Sequence, residues 1–533
     1  MIQSVKGIVH SNLLEIIPQR LTAFFNFANF IIEEVLERMK FDVVIIGSGL
    51  GGLLCGNILS REGYNVCIIE KNHKLGGSLQ TFGRKACIFN TGLNYTESLD
   101  KGQSLYQYFR YFGLYDKLKI KKLDEDGFDI ISFPDAKYKL AMGPDNFRET
   151  LLRDFPSEKE GLNRYLKKIE NICSSFSLYK LSDKPFSNFD YESLGIGAAD
   201  YIRSEISDYR LQNVIAGNSL MYAGHERKTP LMIHAVISNS FIESAWRIVD
   251  GSHQVVNILA ANIVNNGGTI LKNAKGERFI SENNLIKSVE LNTGESIEAK
   301  YFISNTHPEQ IVRMTGPMKS MKIFSERINK LEDTIGMFTL YVVFKKNSFP
   351  YFNYNLYHFN QENAWVVGDY DPLKWPQMYS FMPTAGSRSD YYAESASVIT
   401  YMKYNELQKW ENTTTGHRGT DYLRFKQEKA ELLLSQLEKQ YPGFRSCVEA
   451  WYTSTPLTWR DYTGTRSGSG FGILKDYNQA MESSILPQTR IPNLFLTGQN
   501  VNIHGMLGVT ISSVLTCSRI LDINYLLKKI IDA

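Results

Sequence analysis

Disulfide scaffolds and zinc clusters are the first classes that this chain excludes. Six cysteines (Cys55, Cys67, Cys87, Cys173, Cys447 and Cys517) are scattered over 533 residues, with no CxxC pair and no metal-ligand spacing. Such usage fits a reducing compartment, and no metal site is expected. An excess of one charge is also missing. The 59 Lys and Arg residues nearly balance 56 Asp and Glu, for a net +3 and no long basic stripe. That is too little to argue for a nucleic-acid partner. No run reaches the roughly 18 to 20 apolar residues of a membrane-spanning helix. There is no internal repeat, no low-complexity tract and no Ser-His-Asp order. What remains is a chain long enough for two to four domain-sized units, with 43% hydrophobic residues to fill their cores.

The longest apolar stretch, LTAFFNFANFII at 21–32, lies between Arg20 and Glu33. Leu21, Phe24, Phe25, Ala28, Ile31, Ile32 and Val35 recur at helical spacing, and no small-residue cleavage site follows. Residues 1–39 therefore read as an amphipathic N-terminal extension. It is either a docked terminal helix, an extension ahead of a start at Met39, or an interfacial helix making peripheral membrane contact. The expected location is cytoplasmic, with attachment at a membrane surface as the alternative.

The densest signal is FDVVIIGSGLGG at 41–52. Phe41 to Ile46 reads as a strand buried on both faces. Gly47, Gly49 and Gly52 form GxGxxG, Leu53, Leu54, Ile58 and Leu59 follow at helical spacing, and a second strand from Tyr64 ends at Glu70. Gly47 permits the strand-to-helix turn, Gly49 lets a pyrophosphate approach the backbone, and Gly52 lets helix and strand pack closely. The first N–H groups of the helix hold the phosphates. Glu70, 18 positions after Gly52, is placed to grip ribose hydroxyls. This combination specifies a dinucleotide but does not separate NAD from FAD.

Two further segments favour FAD. KLGGSLQTF at 74–82 puts Gly76 and Gly77 just beyond Glu70, and GRKACIFNTGLNY at 83–95 reads as a short hairpin. Near the other end, NLFLTGQNVNIHGMLGVTISSVLTCSRIL at 493–521 is a second strand, glycine turn and helix, about 450 residues from the first. Its helix N-terminus suits the ribityl chain or the N1–C2=O edge of a flavin, and both ends of the chain must then meet across one cleft. No second GxGxxG follows a strand, so electrons come from an external donor or acceptor, or from the substrate.

The segments GSGLGG, GGSLQTFGRKACIFNTGLNY and LFLTGQNVNIHGMLG, with TPLTWRDYTGTRSGSGFGI at 455–473 as a weaker fourth, resemble the carotenoid desaturase and isomerase superfamily of FAD flavoproteins. The likeness is nearest to its retinol 13,14-reductase branch. It implies an α/β fold: a discontinuous Rossmann-type FAD-binding domain (40–100, 245–329 and 450–533) carrying an inserted α+β substrate domain (101–244 and 330–449). Expected cofactor contacts are Gly47, Gly49, Leu50, Gly51, Gly52, Glu70, Lys71, Gly76, Gly77 and Ser78 at the first turn. Gly276 is expected near the adenine, and Gly498, Gln499, Asn500, Gly508 and Val509 in the C-terminal loop. The chain departs from the branch at Asn500, where an acid is more usual, and at Asn94, where His is expected; this leaves the substrate open.

The implied reaction is hydride transfer from reduced flavin to one carbon of a conjugated polyene or isoprenoid-type lipid, saturating a C=C bond. The candidates for its acid or polar guide are His504, which as a loop imidazole would titrate near neutral pH, Tyr95, and Arg466, which would hold a polar substrate end. Carotenoid desaturation, cis–trans isomerisation and non-enzymatic isoprenoid carriage remain alternatives on the same fold. The aromatic run FPYFNYNLYHF at 349–359, with Tyr379, Phe381, Tyr391 and Tyr392, reads mainly as core and otherwise as the wall of an apolar ligand site.

Overall fold

Strand β1 (Lys40–Ile46) shows why a continuous apolar run is needed here. Val43 and Ile45 face one core while Val44 and Ile46 face another, and all four are buried. Strand β2 (Val66–Glu70) repeats the pattern, with Val66 and Ile68 on one side and Cys67 and Ile69 on the other. A strand in the middle of a doubly wound sheet has no polar face to offer.

The computed structural model describes residues 40–181 and 191–533. The amphipathic helix expected within 1–39 lies outside the described residues. Between β1 and β2 runs helix α1 (Leu50–Arg61). The first sheet runs in the order Thr269–Lys272, β2, β1 and β3 (Ser296–Ser304). On its far side β3 pairs antiparallel with Leu285–Leu291 through its first half and parallel with β4 (Leu494–Leu496) at its end. The parallel strands Thr269–Lys272, β2, β1, β3 and β4 thus all present their carboxyl ends on one side. Ligands bind at such an edge in open α/β sheets. Helix α2 (Gly505–Cys517) follows β4 and packs on α1, joining the two ends of the described chain.

A second, mostly antiparallel sheet of seven strands runs Val448–Ser454, Gly336–Phe344, Ser395–Met402, Met378–Pro383, Asn355–Phe359, Asp129–Ser132 and Lys137–Leu140. The expected domain division at 449/450 cuts through its first strand, which is corrected here: Val448–Ser454 pairs along Gly336–Phe344 and is part of this sheet. All nine residues of Gly336–Phe344 are buried. Phe338, Leu340 and Val342 enter the main core, while Met337, Thr339 and Tyr341 line cavities described below. The turn Ala216–Met221 and the buried helix Leu231–Glu243 cover the other side of the apolar cavity. Phe349, Phe352, Phe381, Tyr441 and Phe444 pack ring against ring, so most of the aromatic run is core, and Tyr391 is solvent-exposed. Among the described residues no helix is long and apolar enough to cross a membrane.

Candidate active site

The cleft begins at the β1–α1 turn. Gly47 has φ +95°, a conformation open to glycine and strained for other residues. A Cβ on Gly52 would fall on the Gly47 carbonyl oxygen, which is why the helix starts so close to the strand. Gly49 caps α1 without any side-chain bond, and the first turn has no acidic residue. Its amide groups and dipole are therefore available to an anion. Gly77 (φ +55°) approaches Gly49 so closely that a Cβ there would lie 3.1 Å from the Gly49 Cα. On Gly51 a Cβ would lie 2.9 Å from the Cα of Gly498. Segments near the two ends of the described chain meet across this contact.

Together these backbones border a cavity of about 610 Å³. It is lined by Gly47, Gly49, Leu50, Gly51, Glu70, Lys71, Gly76, Gly77, Ser78, Gly276, Gly498, Gln499, Asn500 and Val509. Of the cofactor contacts expected from sequence, only Gly52 and Gly508 are not in its wall. Gly52 is the packing glycine beneath the turn, and Gly508 lines the neighbouring cavity, where a Cβ would press on the Ile503 carbonyl. The Glu70 carboxylate is buried, accepting hydrogen bonds from the Ser48 N–H (3.0 Å), the Ser48 hydroxyl (2.6 Å) and the Asn72 N–H (2.8 Å). Lys71 Nζ donates to the Asp461 carbonyl at 2.8 Å, and burial lowers its pKa. Sequence reading missed Asn305. It stands just after the carboxyl end of β3, its side chain wedged among Gly49, Gly51 and Gly498. Its position at a strand end was the available signal.

A smaller cavity of about 130 Å³ adjoins the cleft, sharing Gly92, Leu93, Met337, Phe471, Gly505 and Met506 with it. It is mainly apolar, with Leu220, Val236, Ile237, Phe241, Ile399 and Ile503 in its wall. Tyr95 and His504 are both there. The Tyr95 hydroxyl meets the Tyr357 hydroxyl at 2.6 Å and donates to Asp129 Oδ2 at 3.1 Å. Asp129 Oδ1 accepts from Asn355 Nδ2 at 2.8 Å, and Asn355 Oδ1 in turn accepts from Arg247 at 3.0 Å. Burial pushes the Asp129 carboxyl up to about 7, against the lowering effect of its bonds to Asn355 and Tyr95. Burial also drives Tyr95 above the ordinary phenol range. Asp129, Tyr357 and Arg247 were invisible in sequence because they come from three distant segments: strand pairing joins the first two, and Arg247 reaches them through its bond to Asn355.

Two expectations for the acid or guide are corrected. His504 does not titrate near neutral pH. Burial, reinforced by the nearby Lys475 cation, pushes it down to about 3, and its Nε2 has no protein partner. Arg466 lies in the wall of the larger cleft, apart from Tyr95 and His504. Its guanidinium donates to the Leu331 carbonyl and to Asp333 Oδ1 (3.3 Å), so it is held away from the apolar cavity. Glu97, another residue missed in sequence, is buried beside His504 and Gly505. Its Oε1 accepts the Leu507 N–H at 2.9 Å, occupying one donor of the first turn of α2. Burial raises its pKa although this bond lowers it. Among the described residues no cluster could hold a metal ion.

The glycine cradle, the uncapped start of α1 and the buried carboxylate of Glu70 fit a dinucleotide laid along the cleft. Comparison with known proteins agrees in fold. Residues 45–112 match the family model of the NAD(P)-binding Rossmann-like domain. A putrescine oxidase triple mutant superposes with a TM-score of 0.61 at 13% identity, covering 92% of this chain and 99% of that one. The all-trans-retinol 13,14-reductase of Macaca fascicularis is 23% identical over 91% of this chain and 86% of its own length. The chloroplastic prolycopene isomerase of Daucus carota is 24% identical over 90% and 80%, respectively. Over nine-tenths of its length the chain is thus similar to proteins named as all-trans-retinol 13,14-reductases and prolycopene isomerases, on an α/β fold with a Rossmann-like nucleotide-binding domain.

Proposed function

We propose that this chain is a FAD-dependent oxidoreductase that saturates a C=C bond of a conjugated polyene or isoprenoid-type lipid. The observation that carries the reading is the shared wall between the dinucleotide cleft and an apolar cavity bordered by Tyr95 and Tyr357, with Asp129 hydrogen-bonded behind Tyr95. Flavin, when bound, supplies hydride chemistry at N5. Glu70 would hold ribose hydroxyls, and the α1 amides the pyrophosphate. Asn305 and the Gly498–Asn500 turn would fix the middle of the cofactor. Phe241, Ile399 and Ile503 would exclude water and align the alkene. Tyr95 would donate a proton to the carbon next to the one that receives hydride, and Asp129, protonated up to about pH 7, would restore it through their shared hydrogen bond. An external donor would reduce the cofactor before each turnover.

The reading is tested on the purified full chain. The visible spectrum and the released nucleotide are identified first. The photoreduced protein is then mixed anaerobically with all-trans-retinol and with carotenoids of differing geometry. Reoxidation with a product two hydrogens richer is expected. A colourless protein, or reoxidation by none of these alkenes, would overturn the proposal. The similarity to prolycopene isomerases supports cis–trans isomerisation as the second reading. It predicts an isomer of unchanged mass and no net consumption of donor.

A further inference from the structure

One space larger than either cavity described above remains. A third cavity of about 870 Å³ lies between the Thr81–Asn90 hairpin, the edge strand Val448–Ser454 and the helix Thr420–Gln440. That size falls in the range of about 300–1,000 Å³ typical of small-molecule sites. Its walls are aromatic, with Phe82, Tyr341, Tyr422, Trp451, Tyr452 and Trp459 around it. Its charges all have one sign. Lys74, Arg84, Arg418 and Lys426 line it, and no carboxylate does.

These basic groups are not equally available. Arg418 is paired with Asp461, and Lys74 Nζ donates to the Thr81 carbonyl at 3.2 Å. Arg84 lies over the Phe82 and Tyr452 rings, 5.5 Å from each centroid. Lys426 is the least compensated. It is half-buried, with its Nζ 5.3 Å from the centroid of the Tyr422 ring. Burial lowers its pKa and the Arg418 cation lowers it further, with no acid acting against them. A partly desolvated cation without a counter-charge is costly, and an anion placed beside it removes that cost. Aromatic rings next to such a group suit an apolar chain.

We propose that this cavity is a second ligand site, for an amphiphile whose long apolar chain lies on the aromatic wall and whose anionic end meets Lys426. The site does not depend on the redox reading, and redox-silent probes test it. Hexadecanoate, hexadecyl phosphate and hexadecanol, each kept monomeric, are titrated into the full-length protein and followed by calorimetry. At least one anionic probe is expected to bind about tenfold or more tightly than the alcohol, and the tighter of the two identifies the head group. Lys426→Gln is expected to reduce that preference about tenfold, with alcohol binding within about twofold of the parent. Lys426→Arg, which keeps the charge, should retain the preference and provides the test if the glutamine variant is unfolded. Equal binding of anion and alcohol, an undiminished preference in Lys426→Gln, or binding only to anionic vesicles would each overturn the proposal.

Discussion

The two cavities that share a wall at the centre of the molecule are made of opposite materials. At its glycine turns the dinucleotide cleft is bordered by main chain: Gly47, Gly49, Gly51, Gly77 and Gly498 bring backbone against backbone, and the donors there are amides. The apolar cavity is bordered by side chains, and its polar groups are ionisable ones held away from water. Backbone walls fix shape. Side-chain walls can hold a proton in an apolar place. The first suits a large invariant cofactor and the second suits a reaction.

Substitutions can break this division, starting with the severest. Gly51→Val would push a side chain into Gly498 and Asn305. Overpacking of about 3 kcal/mol would lower nucleotide affinity about 100-fold, measured as flavin retained after gel filtration; full retention would show that the cradle tolerates bulk. Tyr95→Phe, on the other side of the shared wall, should leave flavin content unchanged and slow alkene reduction about 100-fold, read by stopped-flow reoxidation. If both numbers moved together, the two regions would not be separable.

Asp129→Asn sharpens the contrast because it alters a titrating group without removing volume. With Asp129 present, turnover should fall as pH rises through about 7. The variant should lose that limb and turn over about tenfold more slowly. Stability follows the same sign. A carboxyl whose pKa is raised on folding stabilises the fold fully below its unfolded pKa and loses that contribution as pH rises through the folded value. The parent should therefore weaken by a few kcal/mol between about pH 4 and pH 8, and the variant should not, as checked by chemical denaturation. Glu70→Gln should cost about tenfold in nucleotide affinity through one weakened charge-assisted bond, measured by equilibrium dialysis. The smallest effect is expected at His504→Gln. A neutral imidazole without a proton to give leaves turnover within about threefold and its pH profile unmoved.

The same division explains how far the site was legible in the sequence. Backbone-built parts are written in contiguous residues, because a turn at Gly47 and a carboxylate at Glu70 belong to one βαβ unit of about thirty residues. The C-terminal loop could be read for the same reason. Side-chain parts are not contiguous. Asp129 reaches Tyr95 because its strand pairs with Asn355–Phe359, which also brings Tyr357. No local pattern encodes that juxtaposition. His504 and Arg466 drew notice for their chemistry, but burial decided one and the Asp333 ion pair anchored the other. The 449/450 division failed because an edge strand takes its partner from a distant segment.

Strand Gly336–Phe344 carries a consequence of its own. Its alternate residues face different surroundings: Phe338, Leu340 and Val342 fill the hydrophobic interior, while Met337, Thr339 and Tyr341 border ligand space, with Met337 and Tyr341 packed against core residues as well. Tolerance to mutation along these six positions should therefore form a sawtooth of period two. Even numbers would register in melting temperature alone and odd numbers also in which molecules are accepted. Adaptation to a new ligand is thus least constrained at Thr339, which borders ligand space and belongs to neither hydrophobic cluster.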